Sequence, residues 1–224
     1  MLSFKNVTKS FKLDEQTTIS PLQNLSFDID SGELVVIIGR SGTGKTTLLN
    51  LATGLLKPTS GHVAIDKRDL TEMNDRQIST LRSSTMGFVF QFPSLLPSLT
   101  VRDNVALPAM FATKNGTEAA KERAGKLLSE FGIGDKMDVF PRQLSAGQQK
   151  RAVIARALIN QPKIVLADEP TSDLDVRTEK EVMSTIRDIN STGVAFLIMT
   201  HSLELIGFAG RAFEMANGRL KQIK

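Results

Sequence analysis

Gly39-Arg40-Ser41-Gly42-Thr43-Gly44-Lys45-Thr46 carries the residue types and spacing needed to hold a polyphosphate. Its glycines let the backbone curl so that successive N–H groups face inward as an anion nest, and a following helix adds its positive end. Lys45 is placed to reach the β- and γ-phosphates of a nucleoside triphosphate, and the Thr46 hydroxyl to hold Mg²⁺. An apolar, mostly β-branched run at residues 34–38 precedes the loop, and a helical stretch at 45–53 follows it. That is the strand–loop–helix setting the pattern requires.

A second chemical segment is Ile164-Val165-Leu166-Ala167-Asp168-Glu169. An apolar strand ending in a carboxylate can bring Asp168 to the phosphate loop to fix Mg²⁺ through water. Glu169, one residue on, points elsewhere and can take a proton from an attacking water. Alone, such a pair reads equally well as a solvated strand end. The phosphate loop is what gives it weight.

Leu144-Ser145-Ala146-Gly147-Gln148, lying between the phosphate loop and Asp168-Glu169, resembles the signature of the ATP-binding-cassette (ABC) family. The resemblance runs over essentially the whole chain, with every element in the family's order. It implies an α/β fold of the P-loop NTPase type, a mostly parallel core sheet with an antiparallel β edge and a helical subdomain. It also implies ATP as substrate, Mg²⁺ as cofactor, and ATP contacts from Phe11, Gly39, Arg40, Ser41, Gly42, Thr43, Gly44, Lys45, Thr46, Thr47 and Gln91. Gln91 matches the glutamine that senses Mg²⁺ and the transport partner, and His201 the switch histidine that touches the γ-phosphate. The resemblance implies Thr46, Gln91 and Asp168 as the metal residues and Glu169, His201 and Lys45 as the catalytic ones. Two cassettes of this family pair head to tail, so Ser145, Ala146, Gly147 and Gln148 would face the ATP of the opposite copy, and the loop through Asp173 and Asp175 would cross to it. Two matches depart from the pattern. Ala146 stands where glycine is commoner, and Phe11 stands where the adenine-stacking aromatic is often Tyr, keeping the π-face without the hydroxyl. A third departure is Asp173, where the family usually has a small residue.

The branch of the family is read from residues 11–22, an excursion longer than a minimal cassette needs, with Phe88–Gln91, Leu95-Leu96-Pro97 and Asp103–Pro108. These look like the branch of lipoprotein-release, macrolide-export and haem-export ATPases. The resemblance implies a homodimer when ATP is bound, an integral-membrane permease as partner, a place at the cytoplasmic face of the cell membrane and no nucleic-acid partner. The alternative is a cassette that regulates cell-envelope or division machinery without moving a solute. DNA-repair cassettes need a long coiled coil, for which this chain is too short and shows no heptads. Phe92, Leu95, Leu96 and Leu99 sit among prolines that forbid a regular helix through 93–97, so some of them should be exposed as a docking surface.

The elements that must position these residues follow from periodicity. Residues 2–7 and 25–29 alternate as half-buried strands, 63–65 and 86–90 as short ones, and Ala120, Ala124, Leu127, Leu128 and Phe131 form one helical stripe. Ser145 caps a helix to about residue 158. Segments 164–167, 178–189, 194–199 and 203–208 alternate strand and helix, and Asn217-Gly218 marks a hairpin between 213–215 and 219–223. The reading is a single nucleotide-binding domain over 1–224 with a helical insertion at about 95–143. With 224 residues, 41% hydrophobic and 23% charged, the composition is that of a globular chain. No cysteine is present, which removes disulfides, thiolate metal sites and thiol nucleophiles, and two histidines leave little for a His-rich site. The net charge of +4 is scattered and reads as solvated surface. No apolar run approaches the length of a bilayer span, and the N-terminus lacks the apolar core of a signal peptide.

Overall fold

A computed structural model describes residues 1–14, 17–112 and 116–224. The first strands are β1 (Leu2–Lys12), β2 (Thr18–Ile29) and β3 (Leu34–Ile38), followed by α1 (Lys45–Ala52), β4 (Ser60–Ile65) and β5 (Arg68–Asp69). Then come α2 (Asp75–Thr85), β6 (Met86–Val89), α3 (Val101–Ala112), α4 (Thr117–Glu130) and α5 (Ala146–Leu158). The chain ends with β7 (Ile164–Asp168), α6 (Val176–Ser191), β8 (Ala195–Thr200), β9 (Arg211–Ala216) and β10 (Arg219–Gln222). Short 3₁₀ turns occupy Gly134–Lys136, Pro141–Gln143 and Leu203–Phe208. These elements form two compact units, Met1–Thr80 with Ala195–Lys224, and Leu81–Val194.

The first unit holds an antiparallel sheet in the order β2-β1-β4-β5 and a run of strands β10-β9-β3-β8. In the first sheet Phe4 and Phe27 stack at 4.8 Å, and Leu2, Val7, Leu25 and Ile29 fill the same buried face. The simple alternation of β1 breaks at Asn6, whose φ of 52 and the register shift beside it mark a bulge. The bulge re-aims Val7 inward, which a period of two alone would not do. In the second run β3 pairs in parallel with both β8 and β9, and every residue of β3 and β8 is buried. A strand covered on both faces has no use for polar positions, which is why both read as continuous apolar runs. The turn at Asn217-Gly218 joins β9 to β10 antiparallel. Residues 11–14 and 17–22 lie at the far end of β1 and β2, with Phe11 opposite Ile19; Glu15 and Gln16 of that excursion lie outside the described residues.

The second unit is helical around the parallel pair β6–β7. Between residues 95 and 143 lie α3, α4 and two 3₁₀ turns; residues 113–115 are outside the described set. Ala120, Ala124, Leu128 and Phe131 are buried and Leu127 half-buried, so the stripe read from spacing faces the interior. α3 runs through Pro108, where a proline ordinarily ends a helix. Its start is secured by Thr100, which exchanges hydrogen bonds with Asp103, and by the fully buried Asn104. The Asn104 amide donates to the carbonyls of Leu96, Leu99 and Thr100 and accepts from the Leu96 N–H at 2.6 Å. One side chain therefore clamps the irregular segment that leads into the helix.

Candidate functional site

The phosphate loop belongs to the first unit. Ile38, the last residue of β3, is the register partner of Thr200 at the end of β8, and the Gly39 N–H donates to the Thr200 carbonyl at 3.2 Å. The chain then turns through Arg40, Ser41 and Gly42, all exposed, and Thr43 closes the turn by donating its hydroxyl to the Arg40 carbonyl at 2.9 Å. Gly44 has φ +104, and a Cβ there would lie 2.6 Å from the Pro21 carbonyl oxygen, so only glycine fits. α1 begins at Lys45 with no side-chain cap and no acidic residue in its first turn, leaving its positive end to the loop.

The Lys45 side chain is buried and folds back along the loop, donating to the carbonyls of Gly39 at 2.5 Å and Arg40 at 3.2 Å. The ammonium thus already sits inside the curl. A phosphate oxygen entering the loop can replace a neutral carbonyl with a charged acceptor, the stronger partner. Thr46 is exposed and Thr47 half-buried on the first turn of α1. His201, exposed, follows Thr200 directly, so it leaves the sheet one position beyond the strand end that holds Gly39. Phe11 is half-buried, and the Lys9 ammonium stands 5.0 Å from its ring centroid while donating to the Lys57 carbonyl.

The second unit carries the other candidates. Asp168, half-buried, ends β7, and Glu169 is buried with φ +48. A left-handed conformation costs a non-glycine residue about 1–2 kcal/mol, so something must hold it. The Glu169 carbonyl accepts from the Ser172 N–H at 3.2 Å, the Ser172 hydroxyl at 3.1 Å and the Lys150 ammonium at 3.4 Å. Asp173, at φ +64, is also left-handed, a conformation that Asp tolerates better than most residues. Asp175 caps α6, accepting from the Thr178 N–H at 3.0 Å and its hydroxyl at 2.6 Å. The hydroxyl bond, with the backbone one, holds the Asp175 carboxyl below the ordinary aspartate range.

Ser145 caps α5 in a reciprocal box. Its hydroxyl oxygen accepts from the Gln148 N–H at 3.3 Å, and the Gln148 side chain accepts from the Ser145 N–H at 2.9 Å. Ala146 is exposed, so its methyl displaces nothing. Gly147 differs, because a Cβ there would meet Cγ2 of Thr178 at 2.6 Å. The departure from glycine is accommodated at 146 and would not be at 147. Gln91 is exposed in the loop after β6. Of the four apolar residues beyond it, Phe92 (71% exposed) and Leu96 (45%) face solvent, while Leu95 and Leu99 are half-buried.

Sequence reasoning missed Lys150. A lysine on a helix reads as surface, yet this one is only 4% exposed, and its ammonium donates to the Gln91 carbonyl at 2.7 Å and to the Ser172 hydroxyl at 3.3 Å as well as to Glu169. Burial lowers its pKa, opposed by the charges of Asp173 and Glu169. Arg156, two turns along α5, donates to the carbonyls of Pro93 and Ser94 in the same loop. No local pattern signals either set of contacts, because the acceptors are 19 to 63 residues away.

Thr46, Gln91 and Asp168 offer a hydroxyl, an amide oxygen and a carboxylate, all hard oxygen donors, the chemistry Mg²⁺ takes alongside substrate phosphates. Among the described residues no three His, Cys, Asp or Glu side chains gather as a metal cluster. Oxygen donors of these types suit Mg²⁺ that arrives with its nucleotide. No described helix is long and apolar enough to cross a membrane.

A glycine loop that folds its lysine inward between a buried parallel strand and a helix defines a P-loop nucleotide-binding protein. The ABC transporter family profile matches residues 22–172. The chain is 41% identical to the lipoprotein-releasing system ATP-binding protein LolD 2 of Chlorobium chlorochromatii, covering all of this chain and 95% of that one. It is 39% identical to the macrolide export ATP-binding/permease protein MacB of Brucella melitensis, over 98% of this chain and 34% of that protein. In structure it matches the ATP-binding cassette MJ0796, solved as a dimer in a post-hydrolysis state with ADP and Pi, at a TM-score of 0.92 and 37% identity over all of this chain and 98% of that one. The chain belongs to the ABC transporter family and is an α/β ATP-binding cassette with ATPase activity.

Proposed function

We propose that the chain is the ATP-hydrolysing subunit of a membrane transporter of the exporter or lipoprotein-release type, working as a head-to-tail pair of cassettes on the cytoplasmic side of a permease. The observation that carries the ATP chemistry is the Lys45 ammonium held inside the Gly39–Thr46 curl at the uncapped start of α1. The identity to LolD 2 along the full chain supports the branch.

In this reading the loop N–H groups and Lys45 bind the β- and γ-phosphates, His201 orients the γ-phosphate, and Phe11 stacks on adenine. Glu169 takes the proton of a water whose oxygen attacks the γ-phosphorus; the bond to the β-phosphate oxygen breaks, giving ADP and phosphate. Thr46, Asp168 and Gln91 would hold Mg²⁺, which when bound neutralises phosphate charge. Ser145 to Gln148, at the N-terminus of α5, face the γ-phosphate of the ATP on the opposite cassette, and Asp175 lies in the loop that crosses to it. Residues 95–143 act as a helical subdomain, and Phe92 and Leu96 beside Gln91 supply apolar surface for a cytoplasmic helix of the permease.

The test is to find whether the neighbouring reading frame encodes a permease with a large extracytoplasmic domain, and to co-express the chain with it. The expected results are a complex that co-purifies, ATPase activity that rises in it, and loss of both on Phe92→Ser with Leu96→Ser, while ATP binding by the isolated chain is kept. Intact co-purification of that variant removes the docking surface. A wild-type chain whose neighbouring membrane partner moves no cargo yet responds to ATP would favour a regulatory cassette instead.

A further inference from the structure

We infer that Lys150 is a positioning residue for hydrolysis, tying the first turns of the signature helix to the backbone of the general base Glu169 and to the loop of Gln91. The inference rests on the roles proposed above for Glu169, Gln91 and the signature segment, and assigns the part that links them within one chain.

Five observations carry it. The ammonium of Lys150 has three acceptors drawn from two segments, the loop after β6 and the turn after β7: the Gln91 carbonyl at 2.7 Å, the Ser172 hydroxyl at 3.3 Å and the Glu169 carbonyl at 3.4 Å. It is buried, so each acceptor contributes to paying for the desolvated charge, and losing one is costly. Glu169 is held left-handed at φ +48, a backbone setting that fixes where its carboxylate points and that persists only when neighbours over-determine it. Two of its carbonyl's three donors come from Ser172, and Lys150 reaches both Ser172 and that same carbonyl. Lys150 lies five positions after Ser145 on α5, so a shift of the signature turn moves the donor that braces Glu169. A phosphate engaging the N-terminus of α5 would in this way reach the general base and the Gln91 loop through one side chain. The catalytic carboxylate itself is not touched; the backbone that aims it is.

The test uses the full-length chain and reads steady-state ATPase activity, affinity for a fluorescent ATP analogue and thermal melting, with Glu169→Gln as the reference for lost chemistry. Lys150→Met keeps the length and apolar stem and removes the donors. It should lower kcat about 10- to 100-fold, the cost of a misplaced reacting group, with KM and analogue affinity unchanged within about threefold. Lys150→Gln, which keeps an N–H₂ donor, should recover part of the lost kcat. A kcat for Lys150→Met within about twofold of wild type overturns the inference. So does a loss of kcat matched by an equal loss of ATP affinity, with no recovery in Lys150→Gln, because that is the pattern of a packing residue. If Lys150→Met does not fold, Ser172→Ala carries the test. It deletes one acceptor of Lys150 and one donor to Glu169 with almost no change of volume; lowered kcat at unchanged affinity supports the inference, and wild-type kcat overturns it. A wild-type chain that does not hydrolyse ATP, or a Glu169→Gln variant as fast as wild type, would instead sink the functional reading itself.

Discussion

Gly39 and Thr200 are joined across two parallel strands, the amide of the first donating to the carbonyl of the second at 3.2 Å. The phosphate loop and His201 therefore start from the same level of the sheet, and their relation is set by backbone pairing and not by loop chemistry. His201→Ala should leave this pairing intact, since His201 lies outside β8 and is exposed. We expect ATP affinity within about threefold of wild type and kcat lower by at least about tenfold. Isothermal titration with ATP beside a steady-state ATPase assay separates the two; an unchanged kcat would remove His201 from the chemistry.

Gly147 and Thr178 make a second close pair. Thr178 cannot swing aside freely, because its hydroxyl donates to Asp175 at 2.6 Å and its amide completes the cap of α6. Gly147→Ala should therefore loosen the cap, lower the melting temperature and reduce ATP turnover. Thr178→Ser removes the obstructing Cγ2 and keeps the hydroxyl, so the double variant should melt and turn over close to wild type. Failure of that rescue would show that Gly147 is needed for something other than room. Ala146→Gly should cost stability by no more than about 1 kcal/mol, the usual helix penalty of glycine.

The parts legible in the sequence are those in which local spacing decides the outcome. The phosphate loop needs its glycines where they stand, β3 is buried on both faces and shows it, and Asn217-Gly218 makes the turn its dipeptide announces. Where distant partners decide, the sequence is silent. The bulge at Asn6 lets β1 run on to Lys12 although alternation fails after Phe4. α2 has few apolar positions, with Ile78 and Leu81 its buried ones, and gives a weak stripe. α3 continues through Pro108, against local preference, because packing outweighs the lost N–H. Lys150 reads as a surface lysine until its acceptors are seen.

Asn104 is a case where one buried amide does the work of a capping motif. Asn104→Ala would strand the N–H of Leu96 and remove a donor from three carbonyls, of which those of Leu96 and Thr100 keep a backbone partner. We expect a loss of about 2–3 kcal/mol in urea unfolding, the penalty of leaving such groups unpaired. The Leu96 side chain should become more protease-accessible in the same variant. A change below about 0.5 kcal/mol would mean that water replaces the amide.

Asp103 makes the start of α3 sensitive to acid. The Thr100 hydroxyl and the Lys121 ammonium at 3.0 Å hold its carboxyl below the ordinary aspartate range. A carboxylate with a depressed folded-state pKa stabilises the fold above its unfolded pKa of about 4 and loses that contribution as pH falls through the folded value. Asp103→Asn should therefore be less stable than wild type at pH 7, with the difference shrinking below about pH 4. A gap between the two that stays constant down to acid unfolding would show that the charge is not what matters.

The most direct measurement of the central claim is the single-turnover hydrolysis rate of Mg-ATP by Glu169→Gln beside wild type. The proposed mechanism predicts ATP binding equal to wild type, an ATP-dependent dimer, and hydrolysis slower by at least about 10²-fold, the contribution of a positioned base. Hydrolysis by Glu169→Gln within about threefold of wild type would contradict the assignment of Glu169 as the base and the mechanism built on it.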